Sequence, residues 1–350
     1  MRCFAWLALF LVAPLAWGQS RDIVYYLDRT SKSDKPAAFE GSVVEESING
    51  VRVKPANGTE RTFGTLDLVD IAYAPPRSLE LKFQTITLAE AAVRTGTADR
   101  PRMQQLLREY LAIVEPLREA RAASLRRHVA YRIACLKAQL AESADEIQEA
   151  VRDFSRLRTE LLESWQLIPA ARWHAQLLID LGRTAEALEV LDAASRTPRL
   201  SVDIKRDLGL HVIDLMLRCE KHRDAEARIA DELAELPADH PSVPLLNLYR
   251  IAAVGWTASL EETAAKLKQA VDTAETPVVK AVGYNLLGHL FSSKKQFEDA
   301  MWSYLWVDVV YSQDRREHVK ALERLVNVFT ELKDESRAEK YREKLRAARQ

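Results

Sequence analysis

The sequence predicts a mainly α protein in which a solenoid of helical hairpins follows a small all-β module. Three observations carry this reading. Glycine and proline are sparse, 11 and 13 of 350 residues, beside abundant Ala, Leu, Arg and Glu. Short alternating segments rich in β-formers, with two Asn-Gly pairs between them, crowd residues 22–74. From residue 150 onward, a small residue followed four positions later by a larger one recurs every 37 or 38 residues.

The first eighteen residues stand apart. A basic start at Arg2, the apolar stretch CFAWLALFLVAPLAW and the small pair Ala16 and Gly18 predict a signal peptide over 1–18, cut between Gly18 and Gln19. The alternative is an uncleaved anchor, but the run is shorter than the roughly 20 residues a span requires. No later run approaches that length, so the mature chain is expected to be exported, periplasmic or secreted, without a membrane span. Without Arg2, 49 basic residues face 51 acidic ones. Such a balance gives no long-range pull toward phosphate backbones, and nucleic acid is not an expected partner. Cys135 and Cys219 remain after processing. Export makes a disulfide chemically possible, but the repeat separates them by about two units, beyond the roughly 7 Å that a bridge tolerates. Both read as small buried hydrophobes.

The β module is expected over 19–76. DIVYYLD (22–28), FEGSVVEE (39–46), GVRVKPA (50–56) and LDLVDIAYA (66–74) are its strands, and Asn49-Gly50 and Asn57-Gly58 supply the positive φ angles of tight hairpin turns. Pro75-Pro76 closes it. The pattern of Gly-x-Val-x-Glu-Glu, Asn-Gly-Val-x-Val and a final apolar strand resembles small SH3-like or Sm-like barrels of bacterial proteins, which host many roles. Residues 77–119 are read as a connector with atypical capping helices near 87–96 and 101–119. LELKFQTI (79–86) fits either a further strand or an extended connector.

Residues 120–350 carry the repeat. Its pairs are Ala150/Phe154, Ala187/Leu191, Ala225/Ile229, Thr263/Leu267, Ala300/Tyr304 and Ala338/Arg342. A small residue is required where two antiparallel helices cross closely, because a larger side chain holds the backbones apart. Helices near 120–142 and 145–162 form the first pair. Ser143, Ser259 and Ser336, each followed three residues later by Glu, have capping-box spacing at the start of second helices.

The best unit is YNLLGHLFSSKKQFEDAMWSYLWV, which resembles the tetratricopeptide repeat (TPR), a helix-turn-helix of about 34 residues. Tyr284, Leu287, Gly288, Phe291, Phe297, Ala300 and Tyr304 occupy its signature slots, with Val307 in place of the last Ala. Gly182, Ala187, Leu191 and Ala194, then Ala225, Ile229 and Pro237, and finally Leu325, Phe329 and Ala338, mark looser units. The resemblance implies a TPR-like solenoid that binds a protein or an extended peptide. Its first helices line a concave groove, and Lys320, Arg324 and Asn327 fall on the first helix of the last unit. Lys320 and Arg324 match two slots of the carboxylate clamp that holds peptide C-termini in some TPR proteins, whereas Leu286 occupies the middle repeat's Asn slot.

No catalytic or cofactor motif stands out. No two of the seven histidines lie three or four residues apart, and there is no CxxC, phosphate loop or Gly-x-Ser-x-Gly. Asp231, Glu232, Glu235, Asp239 and His240 form a polar cluster that reads as a metal site or, more simply, as a solvated helix end. MWSYLWVDVVY (301–311) is too short for a span. With Ala300, Tyr304 and Val307 facing the paired helix, Trp302, Trp306 and Val309 share the other face at i, i+4 and i+7. They either pack against a neighbouring repeat or the β module, or form a partner-binding patch. The functional expectation is an exported, non-catalytic protein-interaction scaffold without cofactor. An envelope enzyme acting on cell-wall sugars and a self-associating structural protein are the alternatives.

Overall fold

The computed structural model describes residues 21–28, 36–120 and 122–349. The expected signal peptide and its cleavage site lie outside these residues. Five strands come first: β1 (Asp22–Tyr26), β2 (Ala37–Ser47), β3 (Gly50–Lys54), β4 (Arg61–Gly64) and β5 (Leu68–Ala72). They form one antiparallel sheet in the order β4-β3-β2-β1-β5. The first Asn-Gly pair makes the β2–β3 hairpin, with Gly50 at φ 144° and paired to Ser47. A Cβ on Gly50 would lie 2.0 Å from the Phe63 carbonyl oxygen, so only glycine fits there. The register slips between Val43 and Glu45, which bends β2 and adds twist.

Residues 79–86 are neither a strand nor an extended connector, and helices occupy most of 77–119. After a short 3₁₀ turn at Arg77–Leu79, α1 (Glu80–Arg94) and α2 (Arg100–Glu119) are regular helices. LELKFQTI is the beginning of α1, because Leu79, Phe83, Ile86 and Glu90 recur at helical spacing and bury one stripe. Tertiary burial outweighs the β-branched Thr and Ile that made the segment ambiguous. The stripe joins Val24, Val51, Phe63 and Ile71 of the sheet and Leu106, Ile113 and Leu117 of α2 in one core.

Twelve further helices follow as hairpins: α3 (Ala123–Leu140), α4 (Ala144–Glu160), α5 (Leu167–Asp180), α6 (Thr184–Ser195), α7 (Val202–Arg218), α8 (His222–Ala234), α9 (Val243–Gly255), α10 (Leu260–Thr273), α11 (Pro277–Ser293), α12 (Phe297–Val309), α13 (Arg315–Glu331) and α14 (Glu335–Arg349). The architecture is mainly α, a TPR-like solenoid behind a small antiparallel sheet. Ala150, Ala187, Ala225, Thr263, Ala300 and Ala338 fall on α4, α6, α8, α10, α12 and α14, and none is more than 1% exposed. Gly288 faces Tyr304 so closely that an added Cβ would lie 2.4 Å from its ring. Thr263, the one larger residue of the series, is matched by Gly255 on α9, where a Cβ would lie 2.2 Å from the Thr263 methyl. The Thr263 hydroxyl donates to the Gly255 and Ser259 carbonyls at 3.0 and 2.9 Å, so its polarity is satisfied inside the crossing.

Four hairpin turns share a closure that the sequence pattern did not reveal. Gly182, Glu220, Lys295 and Lys333 have φ of 74, 59, 59 and 58°. In each turn the next residue's N–H reaches back to a carbonyl in the last helical turn, as Gln296 N–H does to Phe291 O at 2.9 Å. Left-handed backbone costs any residue with a Cβ, so Lys295→Gly is expected to stabilise the chain by about 1 kcal/mol. A thermal melt checks it, and a lowered midpoint contradicts the strain argument.

Two local expectations change. Ser143 makes a full capping box with Glu146, and Ser259 caps α10, but Ser336 lies inside α14. Asp334 caps that helix instead, accepting from Arg337 N–H at 3.0 Å while its carboxylate pairs with the Arg337 side chain. Both cysteines are free, yet only Cys135 is buried; Cys219 ends α7 half-buried.

The sheet is bound to the solenoid at several places, among them Glu46 of β2, which accepts from Arg127 of α3 at 3.1 Å and from the Ser164 hydroxyl at 2.7 Å. The β2–β3 turn reaches the α6–α7 loop, where Asn49 Nδ2 donates to Arg199 O at 2.8 Å and Asn49 Oδ1 accepts from Ser201 N–H at 2.7 Å. Beneath the sheet, Glu90 receives Arg132 through two bonds of 2.9 and 2.6 Å and the Tyr110 hydroxyl at 2.7 Å, while Asp70 holds Arg94 at 3.0 Å. These buried groups fix β5, α1, α2 and α3 relative to one another.

Candidate interaction surfaces

The α12 face differs from the other second helices. Trp302, Trp306, Val309 and Val310 are 61, 46, 72 and 40% exposed, and neither a neighbouring repeat nor the sheet covers them among the described residues. Ala300, Tyr304 and Val307 point inward and are buried. Trp306 is held by stacking on Tyr284 of α11 at 5.7 Å and on Tyr311 at 6.5 Å between ring centroids. Asp308, the acid in this apolar run, points the other way. It accepts from Lys344 at 2.5 and 2.7 Å, from His318 at 2.8 Å and from Tyr341 at 3.3 Å, so it binds α13 and α14 to α12. Burial opposes its charge, but the Lys344 and His318 bonds hold its carboxyl below the usual range.

The concave side is bridged in places by side chains of the protein itself. The superhelix is tight enough that α13 meets α5 and α7 across the groove: Gln176 donates to Glu323 at 2.8 Å and Lys320 to Asp214 at 3.1 Å. His211 Nδ1–H donates to the Asp207 carbonyl at 2.8 Å, which leaves Nε2 to accept from Arg316 at 2.8 Å. Arg172 pairs with the Asp207 carboxylate. Glu317, fully buried, receives Lys320 at 3.1 Å, Arg316 at 3.4 Å and Asn285 Nδ2 at 2.8 Å.

This settles where the three groove candidates sit. Lys320 is only 15% exposed in its side chain and already serves two carboxylates. A clamp role requires it to leave both. Arg324 is half-buried one turn on, with His289 Nδ1 at 3.5 Å, and Asn327 is exposed on the next turn. Asp214, His211, Arg316 and Glu317 belong to the same network and were not singled out by sequence. Their contacts join residues about a hundred positions apart, and no local pattern signals such a pairing. Above the network lies a central cavity of about 1070 Å³, walled by Met103, Trp173, Ile179, Val319 and Ala347 among charged neighbours.

Asp231, Glu232, Glu235, Asp239 and His240 do not converge as metal ligands. His240 Nδ1 accepts from the Ser242 N–H at 3.1 Å, and its Nε2 lies 3.3 Å from the Arg206 guanidinium. Among the described residues no three His, Cys, Asp or Glu side chains come together as metal ligands. No described helix is long and apolar enough to cross a membrane.

No family model and no curated protein matches the sequence. Solved structures similar to this chain include a tetratricopeptide repeat protein from Parabacteroides merdae, 14% identical, covering 77% of this chain and 99% of that one with a TM-score of 0.44. A thermophilic TPR protein of Thermus thermophilus is 14% identical over 70% of this chain and 99% of its own, with a TM-score of 0.26. BtubC from P. vanneervenii is 15% identical over 59% and 89%, with a TM-score of 0.31.

Proposed function

We propose that this chain is a non-catalytic interaction scaffold that docks an apolar segment of a partner protein on the α12 face. It works outside the cytoplasm after losing residues 1–18, a reading supported by the basic, apolar and small-residue order of its start. The sheet, whose bent β2 suits closure into a small barrel, acts as a fixed cap on the solenoid.

The observation that carries this is the exposure of Trp302, Trp306, Val309 and Val310 side by side on one rigid helix. Large contiguous apolar surface is uncommon on a monomer and usually marks an interface, and tryptophan is among the residues that anchor one. Trp306 has little freedom left to lose, because Tyr284 and Tyr311 already stack on it. Lower ordering cost favours binding.

The test is a double variant, Trp302→Gln with Trp306→Gln, beside a photo-crosslinker placed at Val309 in the exported protein. The melting temperature should hold, since neither ring fills the core, while a cross-link to an apolar segment of one partner disappears. A sharp fall in melting temperature, or cross-links that survive the double change, overturns the proposal. Cross-links only between copies of the chain would replace it with self-association.

A further inference from the structure

Beneath the central cavity, a recess lies between α7, α11, α12 and α13. Asp214, Leu217, Arg218, Asn285, His289, Tyr304, Lys320 and Arg324 form its wall, and Asp214, Arg218 and Lys320 also line the cavity, so the two are continuous. Its volume, about 10 Å³, admits a single oxygen-sized group.

Lys320, Arg218 and Arg324 converge here, with the carboxylates of Asp214, Glu317 and Glu323 nearby, but only Lys320 is paired directly. Lys320 is neutralised by Asp214 and Glu317. Arg218 makes no hydrogen bond or ion pair among the described residues, and Arg324 has only the long contact to His289. Burial and the neighbouring Arg324 charge lower the Arg218 pKa, ahead of the attraction from Asp214 and Glu323. Two guanidinium groups therefore share the recess wall with donors to spare. Placing like charges together in a partly buried site is costly unless an anion joins them.

Neutral donors point the same way. Because Arg324 donates toward His289 Nδ1, the ring proton sits on Nε2. Nε2 has no protein partner; the Leu217 carbonyl is near but outside hydrogen-bond geometry. The Tyr304 hydroxyl is likewise unpartnered, on a side chain only 1% exposed. A buried donor left unmatched is uncommon in a folded protein.

We propose that the recess is an oxyanion subsite of the central cavity. Arg218 and Arg324 hold a carboxylate or phosphoryl group of a small-molecule ligand, and one of its oxygens reaches Tyr304 and His289. The body of the ligand lies in the cavity against Trp173 and Val319. Lys320 is not required, which separates this site from a peptide clamp built on that lysine. The site is also independent of the α12 face, so the Trp302 and Trp306 variants should retain it.

Titration of the full chain with inorganic phosphate and with acetate, at constant ionic strength made up with chloride, tests the proposal by calorimetry and thermal melting. One of the two anions should bind saturably at one site per chain and raise the melting temperature. Phosphate alone assigns a phosphoryl ligand, and acetate alone a carboxylate. Arg218→Gln should weaken binding about ten- to a hundredfold, the usual loss for a bond to a charged group. Tyr304→Phe should weaken it less, while leaving the melt of the anion-free chain unchanged or raised. The tyrosine variant decides the matter even if the arginine variant misfolds. Failure of both anions to bind saturably, or binding that is unchanged in the variants, overturns the site.

Discussion

Replacing Arg132 by methionine is expected to lower the free energy of unfolding by about 3–5 kcal/mol, because it strands a buried carboxylate. Glu90 is 6% exposed, and Arg132 gives it two short bonds while Tyr110 gives a third. Burial works against the Arg132 charge, but Glu90 and Asp70 raise its pKa well above normal. Without the guanidinium, Glu90 must stay charged and desolvated or take up a proton. Asp70 suffers as well, keeping Arg94 at 3.0 Å, the Ile71 N–H at 2.9 Å and His128 at 3.6 Å. The damage falls where β5, α1, α2 and α3 meet, so the sheet should loosen before the distal repeats do. Urea denaturation measures the loss, and hydrogen exchange locates it. Adding Glu90→Leu to Arg132→Met should recover a large part, since replacing both members of a buried pair by apolar groups is often nearly neutral. A loss below about 1 kcal/mol in the single variant would show the network to be solvated.

What was legible in the sequence follows from the range of each interaction. The small residues from Ala150 to Ala338 mark crossings within one hairpin, so their spacing survives in the linear chain. Asn49-Gly50 was legible for the same reason, since a turn is decided by the residues in it. Residues 79–86 were not, because local β preference and helical periodicity conflict there, and the sheet's apolar face decides between them. The inward turn of Asp308 could be read only as an interruption, since Lys344 and His318, which hold it, belong to later helices. Lys320 and Arg324 were placed correctly on the first helix of the last hairpin. His289 comes from the adjacent repeat, but Asp214 lies about a hundred residues away, and only the tightness of the superhelix brings it to Lys320.

That tightness makes the closed groove sensitive to acid. Stability is expected to fall between pH 7 and pH 5, well above the range where carboxylates titrate. His211 and His289 lie inside the groove network, and both are held neutral. Burial lowers the pKa of His289 to about 3, with Arg324 adding to the effect and Asp214 opposing it. Burial, then Arg316 and Arg172, push His211 well below its usual value, against a weaker pull from the Asp207 carbonyl. In the unfolded chain each titrates near 6.5. A folded pKa below the unfolded one means that the unfolded chain binds more protons as pH falls. The contribution is therefore intact above about pH 6.5 and is lost progressively toward the folded value near 3. By pH 5 this amounts to about 2 kcal/mol for each histidine. Asp214 has the same sign, but Lys320 and Arg218 overcome its burial and pull its carboxyl far down, so it keeps its charge throughout this interval. Protonated His211 also loses the acceptor that Arg316 uses, and the contact between α7 and α13 should open first. Urea midpoints at pH 7.5 and pH 5 measure the effect, and a double variant, His211→Gln with His289→Gln, should shrink the difference, leaving the share of His128 and His174, which burial also holds below the usual histidine range. A wild-type midpoint that does not move over this interval would mean that water already reaches both rings and that the groove is open at neutral pH.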